Sequence, residues 1–315
     1  MPGAATPSPS RLPPTHSAPS PAITRVTATP SPTDAPSPAP TTTTSTWTPP
    51  PAGSYPIVNS CDPASVPSAI PVTAPAIDTA STFTLNVPVL MYHRIVPVAE
   101  DEGSLTGLVV PPETFDAQLT ALSNSGWQTI TMATLADDLA THTKPPARTV
   151  VITLDDGWYD GYTYALPILR SHHMVATFYV IASRIDQPDF LSTTQLRVLV
   201  AAGDDIGDHT MDHANLTQVG ASDLKYEIDV GASRIAQAVG RWPESLAYPS
   251  GYQNDAVRAA VAACQGLRLA VLNVDLVPVA GPPGYVTGPS RFEVPRVRVT
   301  PRTSPANLLS LLGEQ

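Results

Sequence analysis

Residues 150–160 read VVITLDDGWYD, an apolar, β-branched run that ends in two adjacent aspartates, Asp155 and Asp156, followed at once by Gly157. β-Branched side chains suit a buried, pleated strand, so residues 148–154 are expected to form one, with both carboxylates at its carboxyl end. Adjacent carboxylates repel each other. A strand that ends in two of them is stabilised if a cation takes one.

Similar runs recur on both sides of this one: 87–96 (VPVLMYHRIV), 175–181 (VATFYVI), 205–209 (DIGDH), 245–249 (SLAYP), 267–273 (LRLAVLN) and 293–299 (EVPRVRV). Helical patterns lie between them. Residues 111–126 open on prolines and close on Gly126, residues 160–173 follow the opening stretch, and residues 222–240 run from a Ser222 N-cap to Gly240. This alternation predicts an α/β fold, a deformed or incomplete (β/α) barrel of seven to eight strands. In such barrels the functional groups stand where strands end and loops begin.

An ion at Asp155 and Asp156 needs further ligands, and 205–213 (DIGDHTMDH) offers His209 and His213. Their i, i+4 spacing predicts that both project from one face of a helical turn. Two imidazoles and a carboxylate leave positions open for water and substrate, as in a catalytic zinc-type site. A further signal, 246–251 (LAYPSG), places a Pro-Ser-Gly turn after another strand. Taken singly, Asp-Asp-Gly reads as a turn and the two histidines as chance spacing. Their conjunction at strand ends carries the argument.

The rest of the chain has a different texture. Residues 1–56 hold 16 of the 37 prolines and only three charged side chains, Arg11, Arg25 and Asp34. Such a Pro/Ser/Thr-rich segment buries too little apolar area to offset its ordering entropy, and is expected to be an extended, disordered linker. Residues 57–83 are still rich in Pro and Ala but carry regular apolar residues, as expected of an extended segment docked on a folded body. Residues 84–312 have globular composition. The net charge of −10 and pI near 5 argue against nucleic acid or an anionic membrane surface as partner. No apolar run reaches the roughly 18 residues of a membrane span. The first thirty residues lack an apolar signal core, whereas the linker is typical of spacers outside the cell. An extracellular or cell-surface location is therefore expected, with the export signal upstream of this start. Cys61 and Cys264 leave two readings open: a bridge tying the base of the linker to the domain, or two free thiols.

The two motifs together resemble the polysaccharide deacetylase family, carbohydrate esterase family four, over residues 84–312. Thr153, Leu154, Asp155, Asp156, Gly157 and Trp158 match its Thr-Phe-Asp-Asp-Gly-aromatic motif, and His209, Thr210 and His213 match its His-Ser/Thr-x-x-His motif. Tyr248, Pro249, Ser250 and Gly251 match its third in part. The resemblance implies a metal-dependent hydrolase that removes N-acetyl groups from an acetylated amino-sugar polysaccharide. Asp155 would be the general base, Asp156, His209 and His213 the ligands of one divalent ion, usually zinc, and the Ser250 N–H, beside Tyr248, an oxyanion donor. Trp158 reads either as a platform for a sugar ring or as a packed loop aromatic.

The chain also departs from the family pattern. Ala247 stands where many members carry an arginine that orients the base, so another group must hold Asp155. No histidine follows His213, so the usual late acid is missing. The stretch VLMYHRI resembles the branch with poly-β-1,6-N-acetylglucosamine deacetylases, and this makes His93 the expected proton donor; a core histidine is the plainer reading. O-deacetylation of an acetylxylan-type polymer, or a carbohydrate-binding relic without turnover, are the alternatives. Asp155 favours an enzyme, because a binding relic has no use for a base beside a ligand aspartate.

Overall fold

The computed structural model describes residues 61, 74–97, 107–273 and 284–313. The linker expected over 1–56 and most of the segment 57–83 lie outside the described residues. The strands are β1 (Leu85–Asn86), β2 (Val89–Tyr92), β3 (Arg94–Ile95), β4 (Val109–Val110), β5 (Gln128–Ile130), β6 (Thr149–Leu154), β7 (Thr177–Val180), β8 (Asp205–Asp208), β9 (Ser245–Ala247), β10 (Leu269–Asn273), β11 (Tyr285–Val286) and β12 (Val294–Arg298). The helices are α1 (Pro112–Asn124), α2 (Met132–Thr141), α3 (Leu166–Ser171), α4 (Thr193–Ala201), α5 (Ala221–Lys225), α6 (Gly231–Val239), α7 (Asp255–Ala263) and α8 (Pro305–Leu311).

Seven parallel strands run in the order β2-β12-β10-β9-β8-β7-β6, and β6 pairs back onto β2, with Leu90 opposite Ile152. The barrel is therefore closed. β5 is wedged into one joint: it pairs with the lower half of β6, Ile130 opposite Val151, on the side where β7 takes the upper half, Leu154 opposite Phe178. Two threonines stitch the wedge to β7, since Thr129 Oγ1 accepts the Val175 N–H at 2.7 Å and Thr177 Oγ1 accepts the Met132 N–H at 2.9 Å. This wedge is the deformation that seven to eight strands implied.

Strand alternation sorts the side chains into two layers. Val150, Ile152 and Leu154 of β6 face outward into the core shared with α1, α3 and α4, as do Leu90, Tyr92, Phe178 and Val297. Val89, Val151, Tyr179, Ala247, Val271 and Val294 fill the interior. The same phase carries Thr153 and Asp155 inward on β6 and Arg296 and Arg298 inward on β12. The interior cluster continues into Met132, Leu135 and Leu139 of α2. Arg268, at the start of β10, donates to the Ala136 carbonyl and to Asp137, so α2 closes the amino end of the barrel. The open end is the carboxyl end.

Several helices begin on side-chain caps: Thr131 for α2, a Ser192–Gln195 capping box for α4, Asn254 for α7 and Ser304 for α8. Ser222 is not a cap. The helix starts at Ala221 after Gly220, and the Ser222 hydroxyl lies against Asp223 instead. It passes through a π turn at Tyr226–Val230 before α6 ends on Gly240, which is left-handed with φ 77°. Cys61 is bonded to Cys264 at the end of α7, so the pair is a disulfide and not two thiols. Ile77 and Phe83 pack against the interior cluster. Among the described residues, no helix is long and apolar enough to cross a membrane.

Candidate active site

A pocket of about 220 Å³ opens at the carboxyl end of the barrel, lined by His93, Asp155, Asp156, His209, His213, Tyr248, Ser250, Asn273, Arg296 and Arg298, among others. Six strands, β2, β6, β8, β9, β10 and β12, carry these groups or lead directly into them.

Asp155 directly follows β6, buried to 3% exposure. Arg296, itself 1% exposed, grips it with both terminal nitrogens, Nη1 to Oδ1 and Nη2 to Oδ2, each at 2.7 Å. The guanidinium is held in turn: Nε donates to the Leu272 carbonyl at 3.2 Å and Nη1 to Thr153 Oγ1 at 3.0 Å. Burial alone would raise the Asp155 pKa, but the charge and hydrogen bonds of Arg296 outweigh it and hold the carboxyl below its ordinary value. Arg296 thus holds Asp155, a contact that Ala247 cannot make. It was not singled out in the sequence, although the alternation in VPRVRV puts two arginines on one face of a strand, an uncommon pattern for a barrel interior.

The next residue turns the chain. Asp156 has φ 74° and Gly157 φ 76°, and a Cβ on Gly157 would stand 2.9 Å from Val180 Cγ1. The turn separates the two carboxylates, so that Asp155 meets Arg296 while Asp156 Oδ1 lies 3.4 Å from His209 Nε2 and 3.7 Å from His213 Nε2. Trp158 Nε1 donates to the other oxygen, Oδ2, at 3.1 Å.

The two histidines do not ride on a helical turn. Residues 209–213 form a loop in which Thr210 (φ 65°) and His213 (φ 62°) are left-handed. Its N–H groups find partners other than i−4 carbonyls: Thr210 donates to Asp208 Oδ1, Met211 to the Glu227 carbonyl, Asp212 to Glu227 Oε2 and His213 to Thr210 Oγ1. The π turn at Tyr226–Val230 contains that Glu227 carbonyl. The loop still brings the rings edge to face at 4.8 Å. Strained backbone at a pocket of this kind is a mark of a built site.

His209 Nδ1 lies 2.8 Å from the Ala247 carbonyl. Donation there places the proton on Nδ1 and leaves the Nε2 lone pair facing Asp156. Donors on a tetrahedral zinc, with bonds of about 2.0–2.1 Å, lie about 3.3–3.4 Å apart. The ligand atoms of Asp156, His209 and His213 all fall within 4.8 Å of one another, so the donor set and its spacing fit a divalent ion. Burial lowers the His213 pKa.

His93 follows β2 in the inward phase of Val89 and Met91 and lines the pocket. Burial lowers its pKa, opposed by the charges of Asp155 and Asp156. Ser250 lines the pocket with φ 54°. Tyr248 contributes to the wall, but its ring follows Leu246 outward into the core against α7 and its hydroxyl donates to the Phe292 carbonyl at 3.1 Å. Trp158 is packed: its ring stacks on Phe190 at 4.6 Å, and the Arg94 guanidinium lies 4.5 Å from its centroid.

A closed parallel barrel with an aspartate, two histidines and a separately held second aspartate at its carboxyl mouth has the layout of a hydrolytic site. Residues 142–269 match the family model described as polysaccharide deacetylase. YxkH of Bacillus subtilis is 30% identical over 176 residues, 56% of this chain and 61% of YxkH. The peptidoglycan-N-acetylmuramic acid deacetylase PdaA of the same organism is 28% identical over 96 residues, 30% of this chain and 35% of PdaA. The deacetylase PplD of Streptococcus pyogenes, solved in complex with acetate, shares the fold with a TM-score of 0.65 at 26% identity, over 72% of this chain and 98% of that one. The chain spans less than two thirds of the length of these two curated relatives. Over the matched residues the domain is similar to the polysaccharide deacetylases.

Proposed function

We propose that this chain is a metal-dependent hydrolase that removes N-acetyl groups from an extracellular amino-sugar polysaccharide, of the chitin, poly-N-acetylglucosamine or peptidoglycan kind. The observation that carries the reading is the division of labour between the two aspartates. Asp156 shares one oxygen with two imidazoles, while Asp155, beside them, keeps both oxygens on Arg296. A site for binding alone has no use for the second carboxylate. PdaA is named for deacetylating peptidoglycan, which supports an amino-sugar polymer as the substrate class.

Asp156, His209 and His213 would hold one divalent ion, for which zinc suits the ligand set; when bound, it lowers the pKa of water and polarises the acyl oxygen. Asp155 takes the proton from the attacking water, and Arg296 fixes the carboxylate and keeps it ionised beforehand. The Ser250 backbone N–H donates to the oxyanion of the tetrahedral intermediate. His93 gives a proton to the leaving amine as the carbon–nitrogen bond breaks. The Cys61–Cys264 disulfide supports an oxidising, extracellular compartment.

Elemental analysis tests the metal set. Protein purified without added metal is expected to carry close to one equivalent of a divalent ion, and the double variant His209→Ala, His213→Ala none. Equal content in the two proteins would refute the assignment.

A further inference from the structure

The two oxygens of Asp156 are divided between different partners. Oδ1 faces the Nε2 atoms of His209 and His213 at 3.4 and 3.7 Å. Oδ2 accepts the indole N–H of Trp158 at 3.1 Å. A carboxylate rotates easily about its last bond, which has a broad, roughly two-fold profile. Left free, it can offer an ion either oxygen or both.

The indole that restrains it is itself restrained. Its ring stacks on Phe190 with centroids 4.6 Å apart and planes at 21°, and Trp158 forms an antiparallel bridge with Phe190. Backbone bonds flank the bridge, Leu191 N–H to the Gly157 carbonyl and Tyr159 N–H to the Asp189 carbonyl, both at 2.9 Å. Arg94 lies 4.5 Å from the ring centroid, and its Nε donates at 2.8 Å to Oδ2 of Asp160, a buried carboxylate whose Oδ1 accepts the Ile95 N–H at 2.9 Å. Each of these contacts limits the motion of the indole N–H.

We propose that Trp158 is a positioning residue for Asp156: its N–H holds one carboxylate oxygen so that the other alone is presented to the ion. The proposal rests on the reading of Asp156, His209 and His213 as the metal set, and it assigns the indole to metal affinity instead of sugar stacking. Hydrogen-bond partners behind a metal ligand typically change affinity or activity by about 10- to 100-fold when removed.

Trp158→Phe keeps an aromatic ring for Phe190 and deletes the N–H. The full-length protein would be stripped with a chelator and its zinc affinity measured by competition with a chromogenic chelator, beside wild type, Asp156→Ala and Phe190→Leu. Trp158→Phe is expected to weaken zinc binding by about 10- to 100-fold with the metal-free Tm unchanged within a few degrees. Phe190→Leu, which keeps the N–H but loosens its seat, is expected to give a smaller loss. Zinc affinity of Trp158→Phe equal to wild type, while Asp156→Ala loses binding, overturns the proposal. A rise in KM for an oligosaccharide with unaltered zinc affinity also overturns it, in favour of a sugar platform. If wild type binds no zinc, or Asp156→Ala binds as tightly as wild type, the metal set itself is wrong and the proposal falls with it.

Discussion

Arg296 and Asp155, 141 residues apart in sequence, meet in a two-pronged ion pair with both nitrogen–oxygen distances at 2.7 Å and both side chains buried. Removing one partner of a buried pair leaves the other charge desolvated, which destabilises by about 3–5 kcal/mol. Arg296→Ala is therefore expected to lower the unfolding free energy by about that amount. Arg296→Lys, which keeps charge but cannot make the fork, should fold and lose turnover at least about tenfold. Denaturant unfolding and initial rates check both. Wild-type values in Arg296→Lys would show that the fork does not position the base.

His93 is expected to matter for one leaving group more than another. An amine must be protonated as it leaves, whereas an activated aryl acetate needs no proton. His93→Ala should keep its fold and metal, lose most turnover on an N-acetyl substrate and lose much less on the aryl ester. Equal losses on the two substrates would mark His93 as structural.

Asp205, at the start of β8 and far from the pocket in its strand, is buried, and burial pushes its carboxyl up to about 6. A carboxyl whose folded pKa is raised contributes stability at acid pH that is lost as pH rises from its unfolded value, about 3.9, through the folded one. Wild-type stability should therefore contain a declining limb between about pH 4 and 6. Asp205→Asn should flatten that limb and be more stable than wild type at pH 7, by on the order of 1–3 kcal/mol. Urea unfolding across this pH range provides the check, and parallel pH profiles for the two proteins would exclude the group as the source.

The Cys61–Cys264 bridge closes a loop with a sequence separation of 203. In the chain-entropy account so long a loop stabilises by about 5 kcal/mol. Reduction, or the double alanine variant, is expected to lower Tm by several degrees without abolishing activity at low temperature. A Tm unaffected by reductant would show that the bridge constrains nothing.

The parts of this molecule that were legible in the sequence are those written in short periods. The run ending at Asp155 and Asp156 declared a strand and its direction, whereas His209 and His213 come together with Asp156 through a loop and not through the helical turn their spacing implied. The conformation between those histidines was not legible, because it depends on Asp208, Glu227 and a π turn that take up the loop's N–H groups from outside it. Arg296 was hidden for a related reason: only barrel closure brings β12 beside β2 and thus across from Asp155. Tyr248 stands in a motif and borders the pocket, while strand alternation sends its ring outward into the core. The wedge β5 is three residues long with a half-exposed pattern, too short for any periodicity to reveal.

The central claim, that Asp155 is the base of a metal-dependent deacetylation, is tested most directly by acetate release from an N-acetylglucosamine oligomer. Wild type and Asp155→Asn would be compared as purified, after chelation, and after one equivalent of zinc is restored. Wild type should lose activity on chelation and regain it with zinc, while Asp155→Asn binds the same zinc yet releases acetate about 100- to 10,000-fold more slowly. Acetate release by metal-loaded Asp155→Asn within a few-fold of wild type, or by wild type regardless of chelation, would contradict the account.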